Sequence, residues 1–184
     1  MREPRIPSIT TDRLTLRGFS ATDRDAYAAL RGDPDVVRYL PGGEALVAFA
    51  EQIADTRIAA FREGWKRGFG VWAVEEAATG TFVGQAGLAA MDRTADVEVL
   101  YALARPYWGK GFAREAAAAA LRFGFERVGL DRIVAFVLPE NGASARVLEA
   151  VGLRSTGETD YNGFKVQGFA IEADEWRANG WVRK

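Results

Sequence analysis

Residues Val97 to Leu121 run without a break from a β-like segment (VEVLYAL) through a glycine-bearing turn (ARPYWGKG) into an alanine-rich helix (FAREAAAAAL). That order constrains the fold strongly. A strand that turns straight into a helix leaves the first N–H groups of the helix unpaired, and the helix dipole adds partial positive charge there. Such a place is a ready anion site, well shaped for a pyrophosphate. Gly109 and Gly111 remove the side chains that would keep a ligand from the backbone, while Lys110 and Arg114 bring mobile positive charge beside it. A turn of this kind also occurs with no ligand at all, so the local pattern leaves both readings open.

The spacing excludes two common phosphate loops. A Walker loop ends in Gly-Lys-Ser/Thr, whereas Gly111 is followed by Phe112. A dinucleotide fingerprint needs a third glycine where Arg114 stands, early in a repeated βαβ unit. Neither condition is met.

The length of 184 residues suits one domain, taken as 1–184, with a proper core. Lys and Arg total 24 against 25 Asp and Glu, with no long block of one sign, so neither a nucleic-acid stripe nor a polybasic membrane patch is expected. The apolar runs are broken well before the ~20 residues of a membrane span, and MREPRIPS lacks the apolar core of a signal peptide. A soluble cytoplasmic protein is therefore expected. The chain has no Cys, which rules out a disulfide framework and a protein thioester intermediate. It also has no His, which removes the commonest general base and the commonest metal ligand together. No clustered carboxylates suggest a hard-metal site, so no metal is expected.

Leu14 to Arg17 alternates as a first strand, and Ser20 with Asp23 form an approximate capping box before a helix that Gly32 and Pro34 stop. Leu46, Phe49, Ile53, Ala60 and Phe61 then recur at helical spacing up to Gly64. From Phe69 the pattern changes to an antiparallel meander: FGVWAVEEA, FVGQAGLAAM, a polar break at Asp92 to Asp96, and VEVLYAL. The third helix spans Phe112 to Val128, with Gly129 as its C′ residue. Arg132 to Leu138 is a strand, Ala143 to Val151 a helix, and Leu153 to Thr159 with Phe164 to Ile171 a hairpin around Asn162-Gly163. A short terminal helix follows in EADEWRANGW. The expected fold is α+β, a mixed and mostly antiparallel sheet of about seven strands flanked by about four helices.

The segment Trp108-Gly109-Lys110-Gly111-Phe112-Ala113 resembles motif A of the GNAT family of acyl-CoA N-acyltransferases, Gln/Arg-x-x-Gly-x-Gly/Ala. With Trp in the first place, WGKGFAREA is similar to the RimJ/RimL-like ribosomal-protein branch. That departure from Gln/Arg removes a polar contact, so Trp108 carries no phosphate role. Asn141 to Leu153 resembles a second segment of the same branch, Asn-x-x-Ser-x-x-Val-Leu-Glu-x-x-Gly-Phe, at the usual distance. The element order is also that of the GNAT fold, and the resemblance covers about Thr10 to Trp176.

The resemblance implies an acetyl-CoA-dependent N-acetyltransferase. Gly109, Lys110, Gly111, Phe112, Ala113 and Arg114 would then hold the pyrophosphate, and main-chain groups of Tyr101, Ala102 and Leu103 on the fourth strand would meet the pantetheine arm. One N–H there would face the thioester oxygen as a one-residue oxyanion hole. Glu98 matches a Glu that many relatives carry and is the candidate base; it reads equally as a solvent-facing strand carboxylate, and a water relay is a further route. Ser144 is the candidate acid and Asn141 the candidate ligand of the pantetheine amides, although turn chemistry and helix capping account for both residues too. Arg146 reads better as a solvated helix face than as a phosphate ligand. Trp65, Trp72 and Tyr107 read as packing, and Tyr161 lies in a hairpin that reaches the acceptor side in relatives.

With no Cys, direct attack by the substrate amine in a ternary complex is the economical mechanism. The acceptor is either a protein N-terminal α-amine or a small amine, and a homodimer is left open. The alternatives are a catalytically inactive CoA-binding sensor or interaction module, and a phosphate binder that does not use CoA.

Overall fold

The computed structural model describes residues 6–91, 94–161 and 163–178. Period-two alternation and β-branched runs form eight strands: β1 (Ile9–Thr10), β2 (Leu14–Arg17), β3 (Val71–Glu76), β4 (Phe82–Ala90), β5 (Val97–Leu103), β6 (Arg132–Val137), β7 (Arg154–Tyr161) and β8 (Phe164–Glu172). They make one sheet in the order β1-β2-β3-β4-β5-β6-β8-β7. Every neighbouring pair is antiparallel except β5 and β6. That parallel pair requires a crossover. Helix α4 (Phe112–Phe123) makes it, packing on β4 and β5.

The remaining helices are α1 (Arg24–Gly32), α2 (Pro34–Val37), α3 (Ala50–Gly64), α5 (Gly142–Ala150) and α6 (Ala173–Ala178). The sheet carries a core on each face. One is built around Trp72, Leu88, Val99 and the buried alanines Ala116, Ala117 and Ala120 of α4, whose small side chains let the helix lie close. The other joins Phe19, Tyr27, Leu30, Ile58 and Phe61 of the α1–α3 layer to Val71, Ala73 and Ala102. Trp65 and Trp72 are core residues, 4% and 0% exposed, and their indole N–H groups donate to the Val71 and Pro7 carbonyls.

The α+β class and the mixed, mostly antiparallel sheet agree with the expectation; the counts differ. The additional strand is β1, whose two residues pair with Leu16 and Thr15, too short for alternation to register. The strand that bears Glu98 is consequently the fifth rather than the fourth. Pro34 stops α1 but also starts α2, because it stands at the first helical position behind Asp33, whose side chain accepts from the Asp35 N–H at 2.9 Å. Residues Gly43–Phe49 wind as a 3-10 helix, so α3 begins at Ala50 and not at Leu46.

Helix α4 passes into a π-helical turn over Gly124–Val128 before Gly129 ends it in a left-handed conformation, φ 78°. A Cβ at Gly124 would lie 2.8 Å from Ile133 Cδ1, so close packing on the sheet accounts for glycine there. Asn162 of the expected hairpin turn, Asp92 and Arg93 of the polar break, and the end of the terminal helix lie outside the described residues.

Gly87 in β4 faces main chain. A Cβ there would sit 2.4 Å from the Gly70 carbonyl oxygen. Gly87→Ala is therefore expected to destabilise the protein by about 1–3 kcal/mol through overpacking, read as a lower denaturant midpoint at unchanged slope.

Candidate active site

Strand β5 pairs with β4 from Val97 to Leu103, but with β6 only at Val97↔Ile133 and Glu98↔Val134. Beyond Glu98 the two parallel strands part. From Val99 onward, β5 has no strand on that side among the described residues, and its main-chain groups need other partners. The Leu103 carbonyl is satisfied by the indole N–H of Trp108 at 2.7 Å. Trp108 thus ties the end of β5 to the glycine turn, a role that the sequence pattern did not suggest.

The turn itself has the backbone of an anion site. Gly109 and Gly111 both have positive φ, 71° and 79°, and Gly111 precedes α4 without a side-chain cap. The first N–H groups of α4 are left for a ligand. A Cβ at Gly109 would meet nothing within 4 Å, so the backbone there faces open space. Lys110 and Arg114 are exposed beside it, with the Lys110 ammonium 5.4 Å from the Tyr107 ring centroid.

A brace from the N-terminal strand region holds this turn. Arg13 donates to the Lys110 carbonyl at 2.8 Å and to Glu115 Oε2 at 2.7 Å, and its guanidinium lies 4.8 Å from the Phe112 ring centroid. Thr11 adds a 2.6 Å hydrogen bond to Glu115 Oε1. Burial alone would raise the Glu115 carboxyl; the bonds from Thr11 and Arg13 outweigh it and hold the group below the usual range. Arg13 and Glu115 were missed in the sequence because they lie 102 positions apart.

Two cavities meet where the strands part. The larger, about 630 Å³, is lined by Glu98, Leu100, Gln85, Arg57, Phe136 and Tyr161 among others. The smaller, about 440 Å³, is lined by Ala102, Leu103, Tyr107, Gly109, Gly111, Phe112, Ala113, Arg114, Asn141 and Arg146. Tyr101 and Ser144 line both, as do Tyr39 and Leu40. Of the proposed phosphate ligands, Lys110 alone does not line the smaller cavity. Tyr107, read from sequence as packing, is part of its wall and stacks on Phe112 at 6.1 Å.

Strand alternation left open which face of β5 lines a cleft. Glu98 and Leu100 share the face of the larger cavity, and Glu98 is half-buried there. Burial pushes its carboxyl up to about 7, opposed by a 3.3 Å hydrogen bond from the Tyr161 hydroxyl to Oε2. Tyr161 is in turn stacked on Phe136, ring centroids 4.6 Å apart and planes 9° from parallel. A carboxyl in this setting exchanges its proton near neutrality.

On the other side, the Tyr101 hydroxyl donates to the Ser144 carbonyl at 3.0 Å, tying β5 to α5. Asn141 Oδ1 accepts from the Ser144 N–H at 3.1 Å and so caps α5, as its alternative reading required. Among the described residues no group of three or more acidic, His or Cys side chains converges as a metal site, and no helix is long and apolar enough to cross a membrane.

Comparison with known proteins adds a lineage to this geometry. The pattern of the acetyltransferase (GNAT) domain matches residues 13–154. The Bacillus subtilis (strain 168) protein YkkB is 33% identical over 154 residues, covering 79% of this chain and 84% of its own. The N-acetyltransferase YoaA of the same organism is 32% identical over 155 residues, covering 83% and 85%. Among solved structures, a GNAT-family acetyltransferase from Bacillus anthracis superposes with a TM-score of 0.75 at 26% identity, covering 91% of this chain and 99% of that one.

The raised Glu98 carboxyl ties stability to pH. The folded state keeps a proton that the unfolded state releases near its usual value of 4.5, so stability falls as pH rises from there through about 7. A shift of this size corresponds to about 3 kcal/mol. Glu98→Gln is expected to abolish that decline, and denaturant melts of the two proteins from pH 5 to pH 8 should diverge progressively in favour of the variant.

Proposed function

The chain belongs to the GNAT acetyltransferase family, and from that premise we propose that it moves acetyl from acetyl-CoA to a primary amine by direct attack in a ternary complex. The observation that carries this reading is the junction of the two cavities at Tyr101 and Ser144, with Glu98 on the wall of the larger. The residues present fit the cosubstrate: two left-handed glycines expose backbone beside Lys110 and Arg114, and an unpaired strand edge leads from them toward Glu98.

In this reading Gly109, Lys110, Gly111, Phe112, Ala113 and Arg114 hold the pyrophosphate. Main-chain groups of Tyr101, Ala102 and Leu103, with Asn141, hold the pantetheine arm. The bound cosubstrate supplies a thioester whose carbonyl carbon bonds to the amine nitrogen as its C–S bond breaks. Glu98 takes the proton that the neutral amine loses as it becomes an amide, the Ser144 hydroxyl gives its proton to the departing sulfur, and the proton held by Glu98 returns to Ser144 through solvent, so both residues end the cycle as they began. A main-chain N–H of β5 steadies the oxyanion, an effect of about 3 kcal/mol where such donors have been removed.

The chain acts as one domain in the cytoplasm, and its motif wording supports the RimJ/RimL-like branch. Proteins of the same fold are named a ribosomal-protein-S5-alanine acetyltransferase and a spermidine N-acetyltransferase. A ribosomal protein and a small amine are thus both named as acceptors on this architecture.

Incubation with acetyl-CoA and a panel of peptides and small amines should release free thiol and add acetyl mass to an acceptor. Tight CoA binding with no acceptor turned over would favour a binding module instead. Glu98→Gln is expected to lower kcat/KM by about 10²-fold or more and to remove the acidic limb near pH 7; an unchanged profile would move the base role to water. Gly111→Asp should abolish CoA binding by setting a carboxylate against phosphates, and retained binding would remove the turn from the account.

A further inference from the structure

The larger cavity is electrostatically lopsided. Glu98 is the single carboxylate among the described residues that line it, whereas Arg38 and Arg57 both line it. Arg38 is engaged by Glu44 at 3.4 Å and Asp35 at 3.6 Å. Arg57, exposed on α3, has no acidic partner among the described residues, and its helical neighbours Ile53, Ala54, Ala60 and Phe61 carry no charge.

Behind it stands a second cation. Arg31 on α1 is only 4% exposed, its Nε has no hydrogen-bond partner among the described residues, and the charge it feels from Arg57 is repulsive. Two guanidinium groups near each other, one of them buried without a counterion among the described residues, create a positive potential on this side of the cavity.

Gln85 extends the same wall. It is 8% exposed yet lines the cavity, and its Oε1 accepts from the Tyr27 hydroxyl at 2.6 Å. With the oxygen engaged, the Nε2 donors have no acceptor among the described residues and are left to the cavity. Tyr27 links the two features, because it also feels the charges of Arg31 and Arg57. Amide and guanidinium donors gathered on one wall match a carboxylate.

The register sets the span. Gln85 lies opposite Ala102 and Ala89 opposite Glu98, so the two positions are four residues apart along the sheet, about 13 Å by strand rise. An α-amino acid is too short to reach from one to the other; an extended tripeptide, about 10 Å long, is of the right size once both side chains reach inward. We infer that the acceptor carries a carboxylate at the end remote from its amine, received by Arg57 and Gln85 while the amine is turned to Glu98. This inference rests on the acetyl-transfer reading for its amine end, while the anion subsite stands on the wall residues themselves. A polycationic amine is disfavoured by the same wall.

The test compares trialanine with trialanine amide and spermidine. Each is assayed by thiol release with acetyl-CoA and, separately, by calorimetric titration into the CoA-loaded protein without turnover. The free acid is expected to exceed the amide by about tenfold or more in both kcat/KM and affinity, with the kinetic difference in KM. Arg57→Gln should bring the acid-to-amide ratio close to one, and Arg57→Lys should keep part of it. Equal affinities for acid and amide, tighter binding of spermidine, or a ratio unmoved in Arg57→Gln would overturn the inference. If nothing is acetylated while the calorimetric preference and its loss in Arg57→Gln persist, the acetyl-transfer reading fails and the anion subsite stands.

Discussion

The organising constraint is that β5 and β6 are paired over only two positions, Val97↔Ile133 and Glu98↔Val134. A parallel pair of such brevity would be weak on its own, but each strand is anchored on its outer side, β5 by β4 and β6 by β8, along its whole length. The sheet therefore holds together while its middle opens. Opening leaves main-chain donors and acceptors along β5 that no strand satisfies, and those are the groups an extended polar ligand can take. The helix that makes the crossover begins at the same end of β5, so one topological event yields both a strand edge and a helix N-terminus.

Bonds within the site show how its parts are held rather than merely brought near. Tyr101 reaches from β5 to the Ser144 carbonyl, and Asn141 reaches to the Ser144 N–H, so Ser144 is fixed through its main chain. Glu98 is held differently. Its partner Tyr161 belongs to β7, one of the two edge strands of the sheet, and is steadied by the Phe136 ring on β6. The carboxyl environment is thus assembled from three strands, β5, β6 and β7, that are separated in sequence, with β8 standing between the last two in the sheet.

How much of this was legible depended on the range of the interaction concerned. The strand, turn and helix from Val97 onward, the left-handed glycines at 109, 111 and 129, and the capping box, in which the Ser20 N–H donates to Asp23 at 2.7 Å, are local and were readable. Two-residue β1 was not, since alternation needs more length to show. Trp108 was read as a lost polar contact because the family pattern has Gln or Arg there; its indole N–H in fact bonds the Leu103 carbonyl. Gln85 and Arg57 carried no signal at all in the sequence. Their significance comes from which residues fail to pair with them, and that becomes visible only once the fold has gathered the neighbours. Global charge was equally uninformative, because a net of −1 hides a wall whose sign is positive.

The Arg13–Glu115 brace carries a consequence for how the chain matures. Its two ends are 102 residues apart, and it fastens the carbonyl of Lys110 at the turn before α4. The glycine turn is therefore finished only by a long-range closure, one of the late and entropically costly events for a chain of this topology. During synthesis, the N-terminal strands wait for α4 to emerge before that contact can form. A ligand seated on the turn would favour the closed arrangement by mass action, so the occupancy of that turn and the completion of folding would be thermodynamically linked through one guanidinium.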